Sequence, residues 1–204
     1  MARVPDGVDL VLAATAPTAG GTGLSLVEMV EPLDDQVVLI IGAGGGVGTF
    51  ATQFAVRAGA IVIADINAVA EGRMRSYGVK EAIVRSQDSA KRAVRRSHPD
   101  GIDVLIDLVS DAKVFAANAA LVRPGGTAIT TKYVADLEAL QALGIRGVNF
   151  ALRQSTELLE RVGEALAERT IVEPPITRIG LEDVPGTFGP QTHTHANGKT
   201  VIVL

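Results

Sequence analysis

From residue 37 onward, short apolar runs alternate with segments of helical periodicity. Runs such as VVLII at 37–41 are apolar throughout, as expected for strands that helices cover on both faces. The pattern predicts strands at 37–41, 61–64, 82–84, 103–106, 127–131 and 148–151. It predicts helices at 49–58, 68–77, 89–96, 111–122, 135–143 and 156–168. Repeated strand–helix units of this kind predict an α/β fold with a parallel, doubly wound sheet.

The two ends of the chain do not follow this rhythm. Residues 1–36 hold a turn rich in Gly and Thr and one helical segment at 24–30, and residues 171–204 hold EPPITRIG and a closing strand, KTVIVL. We therefore expect a central domain at 37–170, flanked at 1–36 and 171–204 by the edges of a second domain.

The amino-acid composition argues against several classes of binding partner, including nucleic acid and membranes. Aromatic residues make up 3% of the chain, there is no Trp, and the formal net charge is −4, all of which argue against binding of nucleic acid. The absence of cysteine excludes disulfides and Cys-ligated zinc, and we expect a reducing cytoplasm. No apolar run reaches the roughly 18 residues that a membrane helix needs.

The sequence GAGGGVG at 42–48 lies between the first predicted strand and the helix that follows it. Glycines let the backbone approach a pyrophosphate closely, while the next helix directs free N–H groups at the anion. Gly42, Gly45 and Gly48 fit G-x-x-G-x-x-G, and Gly42, Gly46 and Gly48 fit G-x-x-x-G-x-G, but no register gives G-x-G-x-x-G. The strand–loop–helix context predicts a dinucleotide site.

An acidic residue follows the second predicted strand. Asp65 stands where an acid accepts the ribose 2′-hydroxyl in NAD-binding sheets, and it would repel a 2′-phosphate. Arg73, Arg75 and Arg85 lie near the same edge and could bind such a phosphate, although solvent exposure is the favoured interpretation of all three. NADH is slightly preferred over NADPH, and both remain open.

Other candidate groups favour structural roles. His193 and His195 in THTHANG could touch a metal, but no third ligand is in register, so we expect polar loop histidines. The sequence has no Y-x-x-x-K pair, no G-x-S-x-G and no P-loop. Asp107 could reach the cofactor edge, whereas Asp103 is expected to order the turn after Gly101. The basic residues of SAKRAVRRSHPD predict a solvated surface helix.

Three stretches carry a family resemblance. The first begins at VPDGVD and continues through AATAPTAGGTGLSLVEMVEPLDDQVVLIIGAGGGVGTFATQFAVRAGAIVIA. The second is GIDVLIDLVSDAKVFAANAALVRPGGTAIT, and the third runs from EPPITRIGLEDV to HANGKTVIVL. In this order they resemble the quinone oxidoreductase branch of the medium-chain dehydrogenase/reductases, and enoyl reductase modules of polyketide synthases are similar in the same stretches. The resemblance implies a Rossmann-type cofactor domain, with most of a GroES-like catalytic domain outside this chain.

The resemblance also implies site residues along the cofactor. Thr22 would approach the nicotinamide, and Asp65 would stand near the adenosine ribose. Asn149 and Phe150 would close over the nicotinamide. The remaining expected contacts are Ala43 to Val47 for the pyrophosphate, Leu108, Val109 and Ser110 for the nicotinamide ribose, and Thr130 and Thr131 along the nicotinamide.

Three positions depart from the family pattern. Ser110 replaces a usual Gly, Ala70 stands where NADPH-preferring relatives carry Lys or Arg, and Thr18 occupies the place of a zinc-ligand Cys, so no catalytic zinc is expected. The resemblance implies NAD(P)H-dependent hydride transfer to a quinone or enone by a homodimer that pairs through the sixth strand. A dinucleotide-binding module without turnover, and an enoyl reductase module of the polyketide-synthase type, remain alternatives.

Overall fold

The structure is a computed structural model that describes residues 2–188 and 198–204. Its centre is a six-stranded sheet with the order β3-β2-β1-β4-β5-β6, in which all neighbouring strands are parallel. The strands are β1 (Val37–Ile41), β2 (Ile61–Ile66), β3 (Glu81–Val84), β4 (Ile102–Asp107), β5 (Val122–Thr130) and β6 (Arg146–Asn149). This order confirms the doubly wound α/β fold, because the chain runs outward from β1 in both directions.

Helices connect the strands of the sheet, and the C-terminal segment adds a small two-stranded sheet. The helices are α1 (Leu10–Ala13), α2 (Gly21–Val30), α3 (Gly46–Arg57), α4 (Glu71–Ser76), α5 (Ala90–Ser97), α6 (Ala112–Ala119), α7 (Leu137–Ala142) and α8 (Thr156–Ala167). A π turn spans Ala16–Gly20, and 3₁₀ turns span Ala68–Ala70 and Leu181–Phe188. Two further strands, β7 (Ile176–Ile179) and β8 (Lys199–Ile202), pair in parallel as a separate sheet.

Two apolar cores lie on opposite faces of the sheet. Along β1, Val38 and Ile40 join the core under α2, α3 and α8, whereas Leu39 and Ile41 join the core under α5, α6 and α7. Successive strand side chains point to opposite faces, so every residue of a doubly covered strand is buried. This double burial explains why the strands read as continuous apolar runs.

The carboxyl ends of the strands form one functional edge. Ile41 of β1 is in register with Asp65 of β2 and with Asp107 of β4, and Asp107 is in register with Thr130 of β5. Asp65, Asp107 and Thr130 are each less than 5% exposed. A row of buried polar groups therefore lies at the edge where parallel sheets bind ligands.

The predicted helix 111–122 and strand 127–131 are wrong at their shared boundary. Helix α6 ends at Ala119, and β5 already begins at Val122. The sequence PGG at 124–126 lies within β5, where the register against β4 shifts between Ile102 and Val104. A bulge accommodates the proline and glycines without ending the strand.

Asp103 was expected to order the turn after Gly101, and this prediction is wrong. Its carboxylate accepts a hydrogen bond from the backbone N–H of Val37 at 2.7 Å and pairs with Arg123. Asp103 thus ties the start of β1 to β4 and β5 at the amino end of the sheet.

The terminal segments hold more regular structure than the sequence pattern predicts. The predicted helix at 24–30 is part of α2, and the closing strand is β8, but α1, the π turn and β7 were not predicted. His193 and His195 lie outside the described residues. Among the helices of the described residues, none is long and apolar enough to cross a membrane.

Candidate cofactor-binding site

The turn after β1 depends on Gly42. Its φ is +84°, and the N–H of Gly45 donates to its carbonyl at 3.1 Å. This left-handed backbone conformation favours glycine, because other residues adopt it at a steric cost. The next residue, Ala43, is fully buried and donates its N–H to the carbonyl of Asp65 at 3.1 Å, which fixes the turn against β2.

Gly48 lets α3 approach this turn. A Cβ at Gly48 would lie 2.3 Å from the carbonyl oxygen of Gly42 and 2.6 Å from the Cα of Ala43. Both neighbours are backbone atoms, so no side-chain rotation could relieve the overlap. The first and last glycines of the motif therefore have the roles of tight turn and close helix–strand packing that dinucleotide loops require.

Helix α3 begins without a side-chain cap. Its N-cap is Gly45, and no side chain accepts a hydrogen bond from the first turn. The first-turn N–H groups of Gly46, Val47 and Gly48 have no intrahelical acceptor, as at the start of any α-helix. They and the positive end of the helix dipole remain available to an anion.

A cleft of about 430 Å³ lies beside this loop. Its walls include Gly44, Gly45, Asn67, Arg85, Ser86 and Val109. Asn67, the residue after the end of β2, borders this cleft, whereas Asp65 does not. Asn67 accepts the N–H of Ala70 at 3.2 Å and so shapes the turn between β2 and α4.

Asp65 faces the neighbouring cleft of about 370 Å³, which shares Arg85 and Val109 with the first. Its carboxylate forms a hydrogen-bonded ion pair with the Nε of Arg85. Burial raises the pKa of Asp65, although the charge and hydrogen bond of Arg85 act in the opposite direction. The predicted ribose acid is therefore at the expected edge, but it has an internal partner.

The three arginines near this edge have three different environments. Arg73 donates to the carbonyl of Gly44 at 2.8 Å, and burial lowers its pKa. Arg85 pairs with Asp65, while Arg75 is exposed and pairs with Glu71 at 2.8 Å. The interpretation as solvent-exposed is wrong for Arg73, which is partly buried against Gly44. Arg85 and Arg75 are exposed, as predicted, although Arg85 also contacts the candidate site through Asp65.

The loop after β4 is held by the buried carboxylate of Asp107. One of its oxygens accepts the backbone N–H groups of Val109 at 3.1 Å and Ser110 at 2.9 Å. This fixes the segment from Leu108 to Ser110. Val109 is half exposed and lies against Gly42, whereas Ser110 is buried in the cleft beside Asp65.

The ends of β5 and β6 bring Thr130, Thr131, Asn149 and Phe150 together. The hydroxyl of Thr130 accepts the N–H of Lys132 at 3.0 Å, and the hydroxyl of Thr131 donates to the carbonyl of Leu108 at 3.4 Å. The N–H of Phe150 donates to the carbonyl of Thr130 at 2.8 Å.

The side chains of Asn149, the last residue of β6, and of Phe150, which follows it, contribute to the fold. Asn149 makes two 3.0 Å hydrogen bonds with the backbone of Ala135, and Phe150 is buried in the core under α2, α3 and α8. Their contact with a nicotinamide stays a prediction.

Thr22 lies in α2, and its neighbour Gly23 fixes the packing of that helix. A Cβ at Gly23 would lie 2.7 Å from the Cβ of Phe50 and 2.8 Å from the backbone nitrogen of Ala51, both in α3. The close packing of α2 on α3 buries Thr22. Thr18 lies in the π turn that precedes α2.

Sequence reasoning missed two cations at the loop. The sequence pattern predicts a solvent-exposed Arg73 and gives no signal for Lys199 of β8, although the side chain of Lys199 packs on Gly46. No local spacing reveals the second contact, because it joins the first and last parts of the chain. Within the described residues, no group of three His, Cys, Asp or Glu side chains could hold a metal ion.

Comparison with known proteins adds to this geometry. Residues 46–161, more than half of the chain, match the family described as zinc-binding dehydrogenase. A highly reducing polyketide synthase from Aspergillus carbonarius is 35% identical over 111 residues, which cover 52% of this chain and 4% of that protein. Alcohol dehydrogenase 1 from Neurospora crassa is 26% identical over 216 residues, which cover 99% of this chain and 60% of that protein.

A solved structure shows the same fold over nearly the whole chain. The quinone oxidoreductase from Coxiella burnetii superimposes with a TM-score of 0.89 at 23% identity, covering 99% of this chain and 63% of that one. The chain thus spans only part of each of these proteins. The family match and the shared fold support one conclusion: the chain belongs to the zinc-binding dehydrogenase family, as a cofactor-binding domain of the medium-chain dehydrogenase/reductase type.

Proposed function

We propose that this chain binds NAD(H) or NADP(H) in the glycine-loop cleft and supplies the cofactor domain of an oxidoreductase. The observation that carries the proposal is the uncapped start of α3, with Gly42 in the turn before it and Gly48 in its first turn. A side chain at Gly48 would overlap the backbone of the turn and force the start of α3 away from it. The residues present therefore fit a dinucleotide pyrophosphate.

Each part of the edge has a proposed role toward the cofactor. The N–H groups of Gly46, Val47 and Gly48 bind the pyrophosphate. The segment from Leu108 to Ser110, held rigid by Asp107, borders the nicotinamide ribose. Thr22, Thr130, Thr131 and Phe150 line the nicotinamide end. The cofactor supplies the hydride, and these residues supply orientation and a dry, polar surface.

We propose NADH ahead of NADPH as the preferred cofactor. Support comes from Asp65, whose carboxylate lies at the end of β2, where an acid accepts the ribose 2′-hydroxyl and repels a 2′-phosphate. Arg85 weakens the preference, because its guanidinium neutralises Asp65 and borders both clefts.

The proposed acceptor is a quinone or an enone, and the proposed reaction is independent of zinc. The similarity to a quinone oxidoreductase fold and to polyketide synthases supports an electron-poor acceptor. The described residues offer no donor set for zinc, so we derive no step through that metal. We further propose cytoplasmic location and a homodimer that pairs through β6, which forms one edge of the sheet.

Calorimetric titration with NADH and NADPH tests the proposal. We expect both to bind, NADH more tightly, and we expect Asp65→Ser to shift the preference toward NADPH. Asp100→Ser, an exposed position at the opposite end of β4, is the matched control and should change neither affinity. If the unaltered chain binds neither cofactor, the proposal is wrong. If Asp65→Ser leaves the preference unchanged, only the role of Asp65 is wrong.

Hydride transfer separates the proposed enzyme from a module that only binds the dinucleotide. NADH fluorescence would fall steadily in the presence of a quinone if the chain catalyses the reaction, and it would shift once and stay constant if the chain only binds. An enoyl thioester used as acceptor in the same assay tests the enoyl reductase alternative, which the polyketide synthase similarity favours.

A further inference from the structure

Two polar side chains are buried in the cleft beside Asp65 without a hydrogen-bond partner. Asn118, in the last turn of α6, is 6% exposed, and Ser110, just before α6, is 8% exposed. Both line this cleft of about 370 Å³. No described residue forms a hydrogen bond with the amide of Asn118 or the hydroxyl of Ser110. Most buried polar side chains in proteins have a partner, so these two call for a physical explanation.

A second buried amide of the chain shows how a structural role is satisfied. Gln53 of α3 is also 6% exposed. Its Nε2 donates to the carbonyls of Thr49 at 3.1 Å and Val172 at 3.0 Å, and its Oε1 accepts the N–H of Val172 at 2.7 Å. The fold thus pairs both ends of this amide with backbone groups. The amide of Asn118 is equally buried, but it lies against a cleft instead of against such groups.

The remaining walls of the cleft indicate the class of ligand. Ile41, Val109 and Val114 supply apolar surface, and the amide of Asn118 offers one donating and one accepting end. A nucleobase matches this arrangement, because it has flat apolar faces and a polar edge. On adenine, the amino group donates beside a ring nitrogen that accepts, and asparagine pairs with both.

The charged groups of the cleft favour a neutral ligand. Asp65 pairs with Arg85, and Asp88 pairs with two arginines of α5. Lys91 also lines the cleft but is exposed to solvent. The two carboxylates therefore have cationic partners already, and they would repel an anion placed between them.

The position of the cleft relates this ligand to the cofactor. In the function proposed above, Gly46 binds the pyrophosphate in the first cleft, and Asp65 in the second cleft accepts a ribose hydroxyl. Arg85 and Val109 border both clefts, so the two spaces adjoin. A dinucleotide that crosses from the first to the second at Asp65 would carry its adenine toward Asn118.

We propose that Asn118 and Ser110 are specificity-determining residues that bind the amino-bearing edge of the cofactor's adenine. This inference rests on the proposed binding of NAD(H) or NADP(H). Ser110 ends the segment assigned above to the nicotinamide ribose, and its side chain serves the adenosine half instead, since it lines the cleft of Asp65. Ser110 stands where the family pattern has Gly, so its hydroxyl is a group that this chain adds.

Asn118→Leu tests the role, because leucine has a similar size and cannot form hydrogen bonds. The ligands are NADH and the reduced nicotinamide purine dinucleotide, which lacks only the amino group of the base. We expect the unaltered chain to prefer NADH by about tenfold, since a site built for a hydrogen bond rejects an analogue without it. In Asn118→Leu, we expect NADH affinity to fall about tenfold and the two ligands to bind within about threefold of each other, as calorimetry would show.

Thermal unfolding without cofactor gives a second measurement. Asn118→Leu removes a buried amide without a partner, so we expect Tm to rise by about 1 to 3 °C. Gln53→Leu is the matched control at a buried amide with partners. It should lower Tm, because the backbone of Val172 loses its hydrogen bonds, and it should keep the preference for adenine. Ser110→Ala is a milder variant that should lower NADH affinity about threefold.

Further ligands locate the effect. ADP-ribose contains the adenine and should lose affinity for Asn118→Leu by the same factor as NADH, whereas reduced nicotinamide mononucleotide should bind both chains equally. The inference is overturned if the unaltered chain binds the purine and adenine dinucleotides equally, or if Asn118→Leu keeps the preference for adenine. Failure of the unaltered chain to bind either dinucleotide would instead overturn the proposed function.

Discussion

Helices α3 and α6 begin at the same edge of the sheet, after the neighbouring strands β1 and β4. They differ in whether a side chain caps the first turn. Asp111 caps α6 by accepting the N–H of Val114 at 2.8 Å, and Asp107 accepts two more N–H groups in the loop before it. The start of α3 has glycines and no side-chain cap.

This difference teaches which helix end is available for a ligand. Both helices present N–H groups and a positive dipole end at the carboxyl edge. At α6, the carboxylates of Asp107 and Asp111 accept N–H groups of the preceding loop and of the first turn. At α3, no side chain accepts the first-turn N–H groups, and a cleft lies beside them. The parallel sheet offers several equivalent positions, and local side chains decide which one can accept an anion.

Gly48→Ala should have the largest effect, because it removes the close packing that shapes the α3 end. The new Cβ would overlap the carbonyl oxygen of Gly42 at 2.3 Å, and we expect a loss of about 3 kcal/mol in the free energy of unfolding. Urea denaturation of Gly48→Ala and of the unaltered chain measures this loss in the free energy of unfolding.

Gly72→Ala in α4 is the control for the backbone effect of replacing glycine within a helix. A Cβ there meets nothing within 4 Å, so we expect a gain of about 0.5 to 1 kcal/mol. Equal stability of Gly48→Ala and the unaltered chain would show that the turn can move away from α3 without cost.

The requirements at Gly42 and Gly48 could be predicted from sequence because they are local. A tight turn and a close approach between a strand and the next helix involve residues only six positions apart. The strands were predicted for a similar reason, since burial on both faces makes each one a continuous apolar run.

The side-chain partners at the same edge could not be predicted. The ion pair of Asp65 with Arg85 requires β2 and β3 to be neighbours in the correct register. The contact of Lys199 with Gly46 requires the paired strands β7 and β8 to return to α3. The start of β5 was missed because a proline in a bulged strand resembles a turn in sequence. In each case, the deciding contact is distant along the chain.

Gly45→Asp should convert the start of α3 into one that resembles the start of α6. Gly45 has φ −80° and ψ 179°, and a Cβ there meets only the carbonyl of Gly42, at 3.5 Å. We expect the carboxylate to cap α3 and raise the free energy of unfolding by about 1 kcal/mol. We also expect it to repel the pyrophosphate and weaken NADH binding by more than about tenfold.

Two further variants separate capping from charge. Gly45→Asn caps without a charge, so it should stabilise the chain but weaken NADH binding less than Gly45→Asp does. Asp111→Ala removes the cap of α6 and should lower the free energy of unfolding by about 1 kcal/mol, with NADH affinity unchanged. The comparison of the two helix ends would fail if Gly45→Asp bound NADH as tightly as the unaltered chain, as calorimetry would show.

Asp65→Asn should have the smallest effect, visible as a pH dependence of stability. Burial raises the pKa of Asp65 in the folded chain above its ordinary value of 3.8. The folded state therefore holds this proton more tightly than the unfolded state, and the stability that this provides is lost as pH rises from about 4 through the folded pKa. Asn does not titrate, so the unaltered chain should lose stability relative to Asp65→Asn over that interval.

Urea denaturation at a series of pH values from about 3.5 to 7 measures this difference. Asp88→Asn is the control of opposite sign, because hydrogen bonds from Arg92 and Arg96 lower the pKa of Asp88, and the stability that it provides is present at higher pH and lost as pH falls. A difference for Asp65→Asn that rises with pH, as for Asp88, would mean that Arg85 outweighs burial. Asp65 would then be a carboxylate held in its charged form by Arg85, rather than an acid available to a ribose.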